Sequence, residues 1–349
     1  METQPNLLTQ ETVRKEATPF EVVRTLPGIT RAWPGKNGRL TFEMRAQTAS
    51  ETPTVQLRAG QISRNGEVTL LPAGTDIKLT ALETELAANP QASLAVHRWG
   101  KRAVLIDENT VTKITRPGKT PLPPNLPSLP TAAITAANPA AGITKFVKLP
   151  GRTLHDLAEG AGPGWMQFIK QLEILPTLTT GLNETKPFTA ADEQQHLETW
   201  LKHVENYGTL THLENVHALR QTVQKVQTLL TNQPQKLVAT HRDLHDKQVL
   251  WDGKTAYLLD LDTFCLAPAG LDLGNLTAHL ELREIQRKIS PEFKNFLIGQ
   301  LSQLPDYELH PIYKAASQLR LACVYSFRPG AATWLPTWIE TSLETVAKL

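Results

Sequence analysis

The sequence predicts an α+β chain with a β-rich front and a mainly helical back, and three observations predict it. Up to about residue 115, apolar and polar residues alternate in short runs separated by turn pairs. After Gly151 the apolar spacing changes to three and four, the period of an amphipathic helix. Between the two, the stretch from Pro117 to Pro150 is dense in proline, and no acidic residue occurs between Thr115 and His155.

Taken in order, residues 1–90 hold the runs Arg39-Leu-Thr-Phe-Glu-Met-Arg45, Val55-Gln-Leu-Arg58 and Val68-Thr-Leu-Leu71, with Asn37-Gly38 and Asn65-Gly66 as hairpin turn pairs. This reads as a small antiparallel β unit. Residues 91–150 open on a second series, Leu94–His97, Ala103–Ile106 and Val111–Ile114, and run into the proline segment, which reads as irregular and partly mobile. Residues 151–349 form the helical unit. There Thr189, followed by Asp192 and Glu193 ahead of Leu197, Leu201 and Val204, marks a capped amphipathic helix. Leu210, Leu213, Val216, Leu219, Val223, Val226 and Leu230 mark a core stripe that stops at Asn232-Gln-Pro234. The segment Arg320–Arg328 has a helical apolar face, which assigns Cys323, Tyr325 and Phe327 to packing and leaves its arginines as candidates to line an acceptor pocket.

Composition sets the background. A chain of 349 residues with 40% hydrophobic content can bury a substantial core. Its 36 basic and 34 acidic residues give a net charge of +2, so neither nucleic acid nor an anionic membrane is expected as a partner. Met1–Thr12 lacks the basic start and apolar run of a signal segment, and no stretch reaches membrane-spanning length, so a cytoplasmic protein is expected. Cys265 and Cys323 are too few for a disulfide framework or a cysteine zinc site, and read as free buried thiols.

Chemistry concentrates in His241-Arg-Asp-Leu-His-Asp-Lys-Gln248. Strand-like runs flank this loop, Lys236–Thr240 before it and Val249–Trp251 after it, and Tyr257–Leu261 follows a turn at Gly253. Asp243, Gln248 and Asp260 are thereby placed to converge at one mouth. Phosphoryl transfer needs such a set: a carboxylate to orient and deprotonate a hydroxyl, and oxygen ligands for Mg²⁺. His241 reads as a structural brace. His245 could join it in a zinc site at i, i+4, but no third ligand has a fitting spacing. Asp262 serves equally as metal ligand or strut, and Asp272 as helix cap or loop brace.

The loop resembles the H-x-D-x-x-x-x-N catalytic loop of kinase-like folds. Leu258-Leu-Asp-Leu-Asp262 with Leu271-Asp-Leu-Gly274 is similar to the paired metal and D-L-A motifs of aminoglycoside phosphotransferases and choline kinases. The glutamine in H-x-D-x-H-x-x-Q-V-L is most similar to the maltokinase-like branch, whose members carry an N-terminal cap. The resemblance implies a protein-kinase-like two-lobed fold: residues 1–90 a cap, 91–150 the N-lobe and 151–349 the helical C-lobe. It implies an ATP- and Mg²⁺-dependent transfer to a hydroxyl of a small polar molecule, with a sugar or amino sugar ahead of an aminoglycoside or amino alcohol. Asp243 would be the base, Gln248 and Asp260 metal ligands, and Asp262 a possible second-metal ligand. Lys113 would hold the α- and β-phosphates, with Lys101 and Arg102 at the phosphate-covering turn. Lys148 opens Lys-Leu-Pro-Gly-Arg-Thr-Leu154, similar to the family's stretch after the nucleotide hinge.

Two departures shape a second reading. The Gly-rich loop is reduced to Gly100, and residues 115–155 offer no acid to brace Lys113, so Glu67, Glu83 or Glu85 would have to supply one. On that ground the alternative is a pseudokinase-like nucleotide-binding or regulatory protein with little or no transfer.

Overall fold

The computed structural model describes residues 18–47, 55–179, 182, 186–211, 216–233 and 236–349. Met1–Thr12 and Leu213 lie outside them. The first four strands, β1 (Ile29–Pro34), β2 (Leu40–Gln47), β3 (Val55–Ile62) and β4 (Val68–Leu70), form an antiparallel meander in chain order. Asn37 and Gly38, both at positive φ (57° and 72°), make the tight return from β1 to β2 that the turn pair predicts.

Two short helices in this region were not expected: α1 (Pro19–Thr25) and α2 (Leu82–Ala88). Thr18 and Glu21 close a capping box with proline in the first turn of α1, a signal present in the sequence. With seven residues, α2 is too short to show a helical period.

The apolar side of this meander does not close on itself. Val22, Val23, Ile29, Ala32, Leu40, Phe42 and Ile62 share one core with the helices Ala190–Tyr207, Val216–Thr231, His310–Tyr325 and Leu335–Ala347. Contacts tie the meander to the segment after the helix His310–Tyr325: Phe20 meets Phe327 edge-on at 6.3 Å, and Arg328 Nη1 donates to the Ala32 carbonyl at 2.9 Å.

The second sheet comprises β5 (Ser93–Arg98), β6 (Arg102–Ile106), β7 (Thr110–Thr115), β8 (Ile134–Asn138) and β9 (Ile143–Val147), in the order β5-β6-β7-β9-β8 and antiparallel throughout. Alternation gives it two distinct faces. Ala103, Leu105 and Ile114 pack with Leu79 and with Leu82 of α2. The opposite face turns Ile106, Val111, Lys113 and Phe146 toward a cleft above the helical unit.

The proline segment between β7 and β8, expected to be partly mobile, is docked. Leu126 and Leu129 are 1% and 4% exposed and join a core with Leu154, Trp165 and Phe168. The Leu258 N–H donates to the Pro130 carbonyl at 2.8 Å, and Thr131 bridges to Leu258. Prolines reduce the freedom lost on ordering, and two buried leucines supply the gain. A strap thus runs from the second sheet onto the helical unit where the sequence offers no helix.

Within the helical unit, Arg152–Thr153, Val249–Trp251 and Ala256–Leu258 form one small sheet, and Leu237–Thr240 pairs with Cys265–Pro268. The helix Ala190–Tyr207 begins at Thr189 with the predicted cap, completed by Asp192. Cys265 and Cys323 are free and buried. Among the described residues helix makes up 45% and strand 21%, an α+β two-lobed, kinase-like fold.

Candidate active site

The loop from His241 to Gln248 is held from below. His241 is fully buried; its Nδ1 accepts the Asp243 N–H at 3.3 Å and its Nε2 donates to the Leu259 carbonyl at 2.7 Å. Those partners select the neutral, Nε2-protonated tautomer and leave no nitrogen for a metal, which removes the His241–His245 zinc alternative. Asp272, in the first turn of the helix Leu271–Ile285, accepts the N–H groups of His241 (2.7 Å) and Arg242 (2.8 Å). Arg242 sits at φ 71°, an uncommon conformation for a side-chain-bearing residue that these bonds hold in place. Burial pushes the Asp272 carboxyl up, against the opposing pull of the two N–H groups it accepts. His241 and Asp272 therefore brace the loop.

Asp243 itself is half exposed. Gln248 Nε2 donates to its Oδ2 at 3.4 Å, and His245 Nε2 lies 4.0 Å from Oδ1. His245 is oriented by accepting the Lys247 N–H at Nδ1 (3.1 Å) and by stacking on His279 at 4.4 Å.

Facing this loop, the strand expected over Tyr257–Leu261 ends at Leu258, because Asp260 turns the chain at φ 56°. That turn presents both aspartates to β7: Lys113 Nζ donates to Asp260 Oδ1 at 2.6 Å and to Asp262 Oδ1 at 2.9 Å. Arg102 Nη1 is 3.8 Å from Asp260 Oδ2, and Phe146 lies under the Lys113 ammonium at 5.3 Å. Burial works to raise the Asp260 carboxyl, but Lys113 and Arg102 more than offset it and hold it low. At Asp262 burial and the charge of Asp260 outweigh Lys113, and the carboxyl is pushed up. Two acids thus share one ammonium, an arrangement that a further cation would relieve. The donors within reach are carboxylate and amide oxygens, suited to a hard divalent ion such as Mg²⁺, and the ammonium bridging both carboxylates stands where such a charge belongs.

A cavity of about 900 Å³ opens beside this pair, lined by Val111, Lys113, Phe146, Lys148, Gln248 and Asp260, with the strap as one wall. Lys148 lines it as expected for its place after the second sheet. Lys101 does not. It stands on the β5–β6 turn among the cations Arg116, Arg98, Lys36 and Lys78. The turn does not offer the phosphate cover expected of it, because the Gly100 N–H already donates to the buried Asp76 Oδ2 at 2.6 Å and its carbonyl is taken by Arg116.

The expected brace for Lys113 also falls elsewhere. Glu85 of α2 pairs with Lys145 at 2.8 Å. Lys145 is the register partner of Thr112, so it lies on the face opposite Lys113. Neither Glu67 nor Glu83 pairs with Lys113, whose partners are Asp260 and Asp262. Glu85→Gln should therefore leave MgATP affinity unchanged while costing about 1 kcal/mol or less of stability. Calorimetric titration of the variant checks this; weakened nucleotide binding would reinstate Glu85 as the brace.

Beneath the loop lies a network that the sequence does not announce. Asp246 is 2% exposed and accepts from Arg283 Nε and Nη2 (2.7 and 2.9 Å) and from His155 Nδ1 (2.8 Å). Among the described residues, His245, Asp246 and His279 form the one histidine–carboxylate group close enough to ligate a metal. The Arg283 guanidinium occupies that position, forking onto Asp246 and lying 3.3 Å from His279 Nδ1. A second cation there would face Arg283 directly.

Comparison with known proteins fits this geometry. Residues 142–304, which hold the loop, both aspartates and Asp272, match the signature of the phosphotransferase enzyme family. A choline/ethanolamine kinase family protein from Mesorhizobium loti is similar in structure, with 15% identity, 78% of this chain and 97% of that chain covered, and a TM-score of 0.51. An amicoumacin kinase solved with AMP-PNP and Ca²⁺ is similar at 12% identity, over 77% of this chain and 93% of that one, with a TM-score of 0.51. A third, an aminoglycoside phosphotransferase from Streptomyces rimosus, has 15% identity over 71% and 98%, and a TM-score of 0.48. No curated protein matches the chain in sequence. No helix among the described residues is long and apolar enough to cross a membrane. The segment that carries the loop and both aspartates is thus similar in sequence to the phosphotransferase enzyme family, and the chain as a whole shares the two-lobed kinase-like fold of these structures.

Proposed function

We propose that the chain transfers the γ-phosphate of ATP, with Mg²⁺, to a hydroxyl of a small polar molecule, with a sugar as the leading acceptor class on the strength of its maltokinase-like loop. The observation that carries this is the meeting of Lys113 with Asp260 and Asp262 at the edge of the cavity, opposite a loop that presents Asp243 and Gln248. Residues 1–90, 91–150 and 151–349 then serve as cap, nucleotide lobe and acceptor lobe, and dependence on ATP assigns the reaction to the cytoplasm.

In this reading Asp243 takes the proton of the acceptor hydroxyl as its oxygen forms the bond to the γ-phosphorus. The bond to the bridging oxygen of ADP breaks in line. Lys113 exchanges its aspartate partners for the α- and β-phosphates. Asp260, Asp262 and Gln248 would hold Mg²⁺, whose charge neutralises the phosphate oxygens. Lys148 lines the cavity and Arg102 stands beside Asp260, while His241 and Asp272 fix the loop so that Asp243 needs no reorganisation. The occupied Gly100 amide favours a second reading, nucleotide binding without transfer.

Asp260→Ala separates a metal-dependent site from a merely basic one. Losing that carboxylate should weaken MgATP binding by about tenfold to a hundredfold, the scale of a charged contact. Metal-free ATP should be affected far less. Equal MgATP affinity in variant and parent, measured by calorimetry, would remove Asp260 from the metal site.

A further inference from the structure

Where the first sheet, β5 and the end of the helix His310–Tyr325 meet, arginines gather around one indole. Arg31, Arg98 and Arg328 place their guanidinium carbons 5.6, 4.9 and 5.0 Å from the ring centroid of Trp33. Each contact is favourable by itself, but three cations on one ring repel one another. Glu43 offsets them only in part, pulling Arg328 up against the burial and neighbouring arginines that lower it. Glu43 is engaged by Arg31. Arg328 donates to the Ala32 carbonyl at 2.9 Å, and the Arg98 Nε is buried with no hydrogen-bond partner. Burial, reinforced by Arg102 and Arg31, lowers Arg98 to about 10, and burial with Arg31 lowers Arg328 to about 10. A cluster of three guanidinium groups with one carboxylate among them carries an excess of positive charge that an incoming anion would balance.

The cluster borders the reacting centre. Arg98 is the cross-strand partner of Arg102, whose Nη1 lies 3.8 Å from Asp260. The Arg328 N–H donates to the Tyr325 carbonyl at 2.9 Å, and both Tyr325 and Arg31 are within electrostatic reach of Lys247, on the loop that carries Asp243. Yet Arg31, Trp33, Arg98 and Arg328 do not line the cavity that holds Lys113 and Lys148.

Resting on the phosphotransfer reading above, we propose that these arginines form an acceptor subsite for an anionic group, so that the hydroxyl compound phosphorylated here carries a phosphate or a carboxylate. Planar guanidinium forks match either group in paired hydrogen bonds. Trp33 holds the forks in place from beneath. An amino sugar, an aminoglycoside or an amino alcohol would bring a fourth positive charge to the cluster, and these classes are set aside. The nucleotide's own phosphates offer the same chemistry, so the test must separate the two sources.

That test uses the full chain with Mg²⁺ and AMP-PNP, titrated with glucose, glucosamine, glucose 6-phosphate and gluconate. At least one anionic member should bind about tenfold or more tightly than glucose and glucosamine, and the better of the two identifies the group recognised. Arg98→Gln should abolish that preference while AMP-PNP affinity stays within about twofold. Arg98→Gln gives up the contact with Trp33 and relieves the repulsion from Arg31 and Arg102, so its melting temperature without ligand is measured alongside, and Arg328→Gln is the second variant. The proposal is overturned if glucose or glucosamine binds as tightly as both anions, or if none of the four binds. It is also overturned if Arg98→Gln weakens AMP-PNP as much as the anion, which assigns the arginines to the nucleotide. Failure of AMP-PNP to bind the parent at all would instead sink the phosphotransfer reading, and this one with it.

Discussion

Asp243→Asn is expected to keep MgATP binding and lose turnover by about two to four orders of magnitude, the range for removing a general base. The asparagine preserves the shape of the side chain and the contact with Gln248, so the loop should stay in place. Its backbone N–H still donates to His241, and Asp272 still holds His241 and Arg242. Only the capacity to take a proton is removed. Because Lys113, Asp260 and Asp262 are untouched, nucleotide affinity should not follow the rate. Steady-state kinetics with calorimetry separates the two quantities, and an undiminished kcat would exclude Asp243 as the base.

The second large effect lies below the site. Asp246→Asn should cost about 3–5 kcal/mol, because it leaves the Arg283 guanidinium, 2% exposed, without its counter-charge. The melting temperature should fall by on the order of 10 °C. Burial would raise the Asp246 carboxyl, but His155, His245 and Arg283 more than offset it and hold it well below the ordinary carboxylate range. A depressed acid stabilises the fold above its unfolded value, about pH 4, and that contribution is lost as the pH falls through the folded value. The gap between parent and variant should therefore be widest near neutrality and shrink on acidification. Replacing both partners, as Asp246→Leu with Arg283→Met, should recover much of the loss. A single variant as stable as the parent would mean the pair carries little.

What was legible follows from sequence distance. The loop residues could be placed because Asp243 and Gln248 lie within one turn-and-strand unit and Asp260 ends the hairpin after it. Thr189 announced its helix because capping is a local event. The partner of Lys113 was hidden because the bond spans 147 residues, and no local pattern encodes which carboxylates a strand will meet. The strap was hidden for a different reason: proline density signals irregular backbone, while Leu126 and Leu129 carry no periodicity that would mark them as buried. Nor does composition reveal three arginines from distant segments around Trp33. Arg328 was set among possible acceptor-pocket residues, but Arg31 and Arg98 were not. Glu85 was misjudged through a single strand position, since Lys145 and Lys113 face opposite sides of the same sheet.

The shared core of the first sheet and the last helices has a consequence for biosynthesis. Phe20, Ala32 and Phe42 leave the ribosome about 300 residues ahead of their packing partners around Phe327 and Trp338. At roughly 5–20 residues per second, the apolar face of the nascent meander waits some tens of seconds for its cover. Contacts of such separation slow closure and expose strand edges meanwhile. Chains released short of Phe327 should therefore be recovered as aggregates or bound to holding chaperones, while chains that include it can close the meander's apolar face into a single cooperative core.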